Sequence, residues 1–352
     1  MTDFLPFLKQ MISAPGLSGF EGPIREIIQK AWEPLTDELS VSKIGSLHGL
    51  KKGRGPEPRK RVLISTHMDA IGMMVTGIEE GLMHITQLGG IDHRILPGQP
   101  VIVHGREDLP GQVVQPPAHL LPESAGSGPV EMQYLLVDVG LRPADVVEKV
   151  RVGDLVSYAQ MPLELTGDAL AGHTLDNRVS VAAATICLDE LQTRLHDWDV
   201  WAVASVQEEE TLGGALTSPF EIRPDIAIVV DVCFAKGPGA NDWRNLPFGG
   251  GVGLGWGPNI HPALYKAFEA KAKALEIPTN QDLMPKMSGT DAMAVQIVAE
   301  GIPTAVLGIP LRYMHTPVET VSLKDVRRVG RLMAEFIADL KPDAMDKINW
   351  EE

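Results

Sequence analysis

Four short runs in this chain are apolar almost without interruption: RVLIST at 61–66, DVWAVASV at 199–206, the stretch 226–231 and PTAVLGI at 303–309. A strand with one wet face alternates apolar and polar residues. A continuous run belongs to a strand covered on both faces, as in a parallel sheet between helices. Stretches with apolar residues at helical spacing fall at 176–195, 261–276, 290–300 and 323–340, so strand and helix alternate. This pattern predicts an α/β fold. Residues 3–33 add helical runs on either side of the Gly/Pro turn SAPGLSGFEG.

Between about 73 and 165 the texture changes. Short alternating runs such as LMHITQL, PVIVHG, YLLVDVG and DLVSYA are punctuated by Gly and Pro, with one short helical stretch near 143–150. That is the signature of a small β-rich unit. The simplest organisation is a discontinuous α/β domain, residues 1–70 and 166–352, interrupted by a β-rich insertion at 71–165. The segment LLPESAGSGPVEM at 120–132 is polar and unpatterned and is expected to be a mobile loop.

Charge narrows the function classes. With 31 Lys and Arg against 46 Asp and Glu, the net charge is −15. Nucleic acids and anionic membrane surfaces demand basic patches, so neither is an expected partner. The one basic cluster, KKGRGPEPRKR at 51–61, reads as a solvated turn. Two cysteines exclude a disulfide framework and a Cys-rich zinc site, and both are expected to be reduced, half-buried thiols. No leader pattern opens the chain and no apolar run is long enough for a membrane span, so a cytoplasmic location is expected. The glycine run GGGVGLGWGPNI at 249–260 lacks the register of a dinucleotide fingerprint.

In open α/β sheets chemistry collects at the carboxyl ends of strands. His67 and Asp69 follow the first apolar run, and Asp176 and Asn177 open the 176–195 helix. Glu208, Glu209 and Glu210 follow the second run, Asp231 the third and His315 the fourth. Taken singly, each has an ordinary explanation: a satisfied polar histidine, a helix N-cap at Asp176, or acids at a helix start. The glutamate triplet needs solvent, a basic partner or a metal to hold it. Two histidines among carboxylates on one sheet edge are a ligand set for two divalent cations sharing a carboxylate. His173, in a Gly-flanked turn, is the one rival; His84 and His104 lie in alternating β runs and read as structural.

LISTHMDAIGMMV, GHTLDNR, VQEEETLGGA, VVDVCFAKGPG, SGTDAMA and RYMHTPVE occur in the order of the glutamyl and deblocking aminopeptidases, a family the chain resembles from 13–21 to its C-terminal helix. These are tetrahedral metallo-aminopeptidases, some labelled cellulases or endoglucanases. The resemblance implies a three-layer αβα catalytic domain with a barrel-like insertion. It implies that His67 and Asp231 bind one cation, Glu209 and His315 another, and that Asp176 bridges them. Asp69 would orient His67 from behind, and Glu208 would be the general base for a water held between the cations. Zn²⁺ suits such nitrogen and oxygen donors, with Co²⁺ or Mn²⁺ as substitutes. The resemblance further implies peptides with a free N-terminus as substrates, dimers built through the insertion, and a dodecamer assembled from them.

Three positions depart from the family pattern. Ala70 stands where an acid is usual, Asn177 replaces the second acid of LDDR, and Ser288 replaces a glycine before GTDA. None removes a ligand, although Asn177 leaves the site one charge less negative. A deacetylase or carboxypeptidase could use the same metal centre, because function lives in the pocket rather than the fold. A glycosidase needs two carboxyls and no metal, and the two histidines among the acids speak against it. Glu210 matches no family role and is expected to be a solvated or helix-capping acid.

Overall fold

The computed structural model describes residues 3–122 and 128–348. The core of the 120–132 segment expected to be mobile lies outside the described residues.

The strands in chain order are β1 (Glu38–Val41), β2 (Leu47–Lys51), β3 (Arg61–His67), β4 (Gly72–Glu79), β5 (Leu82–Leu88), β6 (Pro100–His104), β7 (Asp108–Val114), β8 (Leu136–Asp138) and β9 (Leu155–Tyr158). They continue with β10 (Leu163–Leu165), β11 (Ala169–Gly172), β12 (Asp199–Ser205), β13 (Ile226–Phe234), β14 (Val252–Trp256), β15 (Thr279–Leu283), β16 (Thr304–Arg312) and β17 (Glu319–Ser322). The helices are α1 (Leu5–Ile12), α2 (Gly22–Trp32), α3 (Pro143–Lys149), α4 (Leu175–Glu190), α5 (Gly213–Ile222), α6 (Pro262–Ala274), α7 (Ala292–Val295) and α8 (Leu323–Asp339).

The four apolar runs form adjacent parallel strands, β12-β3-β13-β16, at the centre of one sheet. Antiparallel strands extend it on both sides: β2 and β1 beyond β12, and β17, β11 and β10 beyond β16. The run pattern works as predicted, because alternate residues bury into opposite layers. Val62 and Ile64 join one apolar cluster with α1, α2, α4, α6 and α8, whereas Leu63 joins another with α5 and α7. Ile226, Ile228 and Val230 divide from Ala227 and Val229 in the same way. The result is a three-layer αβα domain.

Strands β4 to β9 close into a separate six-stranded barrel, order β4-β5-β8-β7-β6-β9, with its own core around Met73, Val101 and Val156. The alternating texture starting near 73 is therefore a barrel, and β10 already returns to the main sheet.

Four expectations need correction. The third run continues past Asp231 to Phe234, because Val232 and Cys233 keep their pairing with β16; Asp231 lies inside the strand. Both cysteines are buried rather than half-buried. The helix expected over 290–300 shortens to α7, after which Ile297 and Val298 donate to carbonyls three residues back in tightened turns. The basic cluster is not simply solvated: Arg59 pairs with Asp199 at 2.6 Å and Lys60 with Asp225 at 3.0 Å. Among the described residues, no helix is long and apolar enough to cross a membrane.

Candidate metal centre

The predicted site residues reach one place from five segments of the chain. His67 is the last residue of β3, and Glu208 and Glu209 follow β12, its parallel neighbour, in whose register Ser205 sits beside His67. Asp231 comes from β13 and His315 from the turn after β16. Asp176 sits at the start of α4, which points at the carboxyl ends of these strands. Asp176 is not an N-cap: Thr174 occupies that position, and the Asp176 backbone departs from helical geometry. The Asp176–Asn177 peptide bond is cis.

Asp176 divides its two oxygens between the histidines. Its Oδ1 lies 3.3 Å from His67 Nε2 and its Oδ2 lies 3.3 Å from His315 Nε2. Around His67 Nε2 stand Glu208 Oε2 at 3.8 Å and Asp231 Oδ1 at 3.9 Å. His315 Nε2 is 3.6 Å from Glu209 Oε2. Donor atoms of His67, Glu208 and Asp231 lie within 4.8 Å of one another, and so do those of His67, Asp176 and Glu209. In distance alone Glu208 is as close to His67 as Asp231 is, so separation does not divide the ligand from the base.

Asp69 is fully buried behind this group. It accepts the backbone N–H of Glu208 at 3.0 Å and of Glu209 at 3.2 Å, and its Oδ1 is 3.4 Å from His67 Nδ1. One side chain therefore sets the positions of three others. Glu210 departs from its expected solvated or capping role: its carboxylate accepts the Gly89 N–H at 2.6 Å, tying the glutamate segment to the barrel. His173 stays apart, lining a smaller cavity of about 220 Å³ with Tyr158 and His104.

Two residues in the quoted motifs had no assigned role. Glu319 is buried and accepts the backbone N–H of both Asp176, at 3.0 Å, and His315, at 2.8 Å. Asp291 is buried and accepts the hydroxyls of Ser65 and Ser205, each at 2.7 Å. An acid closing RYMHTPVE and another inside SGTDAMA were the available signals. Of the departures, Asn177 donates to the Val230 carbonyl at 3.0 Å, and Ser288 contacts Asn259 and Thr290, each at 3.0 Å. Ala70 is buried against Leu17.

Backbone conformation is also unusual here. Thr174, Gln207 and His315 all have positive φ, at 58°, 61° and 62°. Non-glycine residues held there cost about 1–3 kcal/mol each and cluster at functional sites.

The electrostatics call for added positive charge. Burial pushes Glu208 up to about 7 and Glu209 to about 8, and raises Asp231 well above the usual carboxylate range. Burial also opposes ionisation of Asp176, but hydrogen bonds from His315 and His67 hold it below its ordinary value. For His315, burial is outweighed by Asp176 and Glu209, and its value rises to about 9. Two imidazoles do not neutralise five buried or half-buried carboxyls. Nitrogen and oxygen donors around a carboxylate with two divided oxygens suit divalent cations, which would supply the missing charge.

The centre forms one wall of a cavity of about 590 Å³ that also reaches Cys233, Asp282, Met284 and Ser288.

A family model described as M42 glutamyl aminopeptidase matches residues 45–332. The lysyl aminopeptidase of Pyrococcus furiosus is 33% identical over 341 residues, covering 95% of this chain and 97% of the relative. The TET aminopeptidase of a marine-sediment Thaumarchaeota archaeon superposes with a TM-score of 0.91 at 29% identity, covering 98% of both chains. The TET1 peptidase of Pyrococcus horikoshii, described as assembling into a tetrahedron or a large octahedral shell, superposes with a TM-score of 0.83 at 27% identity, covering 96% of this chain and 100% of the other.

Proposed function

This chain belongs to the M42 glutamyl aminopeptidase family and is a peptidase, and from that premise we propose that it removes the N-terminal residue of peptides at a centre of two divalent cations. The observation that carries this reading is Asp176, whose two oxygens face His67 and His315 at 3.3 Å each. His67, Asp176 and Asp231 would hold one cation, and Asp176, Glu209 and His315 the other. When bound, the cations acidify the attacking water and polarise the scissile carbonyl. Zn²⁺ fits the donor set, and Co²⁺ or Mn²⁺ can substitute.

Glu208 is the general base. Its carboxylate lines the cavity beside the centre, with Oε2 3.8 Å from His67 Nε2, so it reaches a water held there. It takes a proton from the attacking water and passes it to the leaving amine. Asp69 holds the Glu208 and Glu209 backbones, so that consecutive side chains diverge towards different tasks. Glu319 holds the backbones of Asp176 and His315 in the same manner.

The test is Glu208→Gln. The variant is expected to keep both cations and lose at least about 10²-fold in kcat on aminoacyl chromogenic substrates. Near-wild-type turnover in the metal-replete variant would exclude Glu208 as the base.

We also propose that the inserted barrel mediates self-association into dimers and a larger shell of the kind described for the Pyrococcus horikoshii relative. Exposed Val147, 59% accessible, and Val152, 64% accessible, on the insertion support an apolar contact there. Light scattering of the metal-replete protein checks it; a mass of one chain would count against it.

A further inference from the structure

The cavity above the metal centre runs along β13. Asp231 and Cys233 are two residues apart on this strand and face the same side of the sheet, roughly 6–7 Å from each other. Asp231 belongs to the metal centre, and Cys233 forms the next step of the cavity wall. The Cys233 side chain lies against two glycines, Gly253 of β14 and Gly308 of β16, which pair with each other. A Cβ at Gly308 would lie 2.8 Å from Cys233 Sγ and 3.5 Å from an Asp282 carboxylate oxygen. The glycine pair therefore leaves the room into which Asp282 projects.

Asp282 is out of place by the ordinary logic of its strand. It sits on β15, which pairs only with β14 and so forms an edge, where charges normally point to water. Its neighbours Gln281 and Leu283 are exposed, whereas Asp282 is only 8% accessible and lines the cavity. Among the described residues, no hydrogen bond or ion pair reaches its carboxylate, and burial alone pushes it up to about 6. Other buried acids have one oxygen held internally: Asp325 Oδ1 accepts from the Gly251 N–H and Arg328, and Asp291 Oδ2 from Ser65 and Ser205. The basic residues of the cavity, Arg244 and Lys286, are exposed at its rim, and Arg244 is already paired with Asp242. A buried, unpartnered carboxylate in a substrate cavity is completed by a cation that arrives with the substrate.

We infer that Asp282 is the specificity-determining residue of this pocket and selects peptides whose N-terminal residue carries a cationic side chain. This rests on the aminopeptidase reading, which puts the scissile bond at the metal centre. With the bond there, the side chain of the N-terminal residue extends along β13. The one-pleat distance from Asp231 to Cys233 matches the reach of an extended lysine or arginine. An apolar side chain leaves the carboxylate buried and unpaired, and an acidic one adds a like charge.

The experiment compares kcat/KM for lysyl, arginyl, leucyl and glutamyl chromogenic amides in the metal-replete wild type, Asp282→Asn and Asp282→Leu. A parallel calorimetric titration uses the non-hydrolysable amino alcohols lysinol and leucinol. Wild type is expected to prefer lysyl and arginyl over leucyl amides by at least about 10-fold, with glutamyl the poorest. Both substitutions collapse the lysyl-to-leucyl ratio to about 1, and lysinol loses its advantage over leucinol in binding. A merely structural defect lowers all substrates together and leaves that ratio in place. Leucyl hydrolysis with no cationic preference, or a ratio unchanged in both variants, overturns the inference while leaving the aminopeptidase reading intact. Asp282-dependent binding of lysinol without hydrolysis of any amide supports the inference and sinks that reading instead.

Discussion

Replacing Asp69 by Asn is the sharpest probe of how the site is held. Asp69 is fully buried and offers both oxygens to backbone donors, Glu208 N–H at 3.0 Å and Glu209 N–H at 3.2 Å. Asparagine retains one acceptor and turns an N–H₂ group towards the other donor. One backbone N–H is thus left buried without a partner, at about 1–3 kcal/mol, and the surviving bond loses its charge assistance, about 1 kcal/mol. The sum is roughly 2–4 kcal/mol. An opposing effect operates without metal. Asp69 repels Glu208, Glu209 and Glu21, pushing each towards its neutral form, and the substitution relieves that repulsion. Bound cations cancel the repulsion, so the loss is larger in the metal-loaded protein than in the stripped one. Urea unfolding with metal and with chelator reads both values. Competition against a chelator of known affinity should show metal binding weakened by about 10–100-fold, the usual consequence of removing the group behind a ligating histidine. Wild-type stability and metal affinity in the variant would refute the reasoning, as would a larger loss in the stripped protein than in the loaded one.

Two further outcomes follow from groups around the site. Arg178 is fully buried and donates to the carbonyls of Met11, Ala14, Gly16 and Met68, joining α1 and the turn after it to the end of β3. Arg178→Met leaves those carbonyls unpaired and should lower urea stability by about 3 kcal/mol; a change under about 1 kcal/mol would show that they find other partners. Burial, aided by Arg178, pushes His173 down to about 3, so the folded state keeps it neutral while the unfolded chain protonates near its ordinary value of 6.5. The unfolded state then binds the extra proton between these values, and stability falls as pH falls from 6.5 towards 3. At pH near 4.5, wild type should have lost about 2–3 kcal/mol more than His173→Gln relative to neutral pH, and parallel pH profiles would refute the assignment.

Much of the architecture was legible because a parallel sheet writes itself plainly. Continuous runs such as RVLIST can only be covered on both faces, and the acids and histidines past them fall on one edge. The glutamate triplet was legible as a charge problem, and Asp176 became its centre once two histidines were placed beside it. The supporting acids were harder to read. Glu319 and Asp291 act through backbone N–H groups and hydroxyls of distant segments, and no local spacing encodes such contacts. Glu210 looked solvated because its partner, Gly89, belongs to the other folding unit. The end of β13 is hidden in the sequence because a buried aspartate resembles a strand terminator, whereas pairing with β16 carries the strand three residues further. The 290–300 pattern was helical in spacing, yet Ala299 and Gly301 both take positive φ, at 56° and 92°, which no helix continues through.

The central claim is that Asp176 is shared between two cations. Elemental analysis of the gel-filtered protein, after saturation with Zn²⁺, tests it most directly across wild type, His315→Ala and Asp176→Asn. Two ions per chain in wild type, one in His315→Ala and loss of both in Asp176→Asn is the predicted pattern. A single ion per wild-type chain, or two retained when Asp176 is replaced, would contradict it.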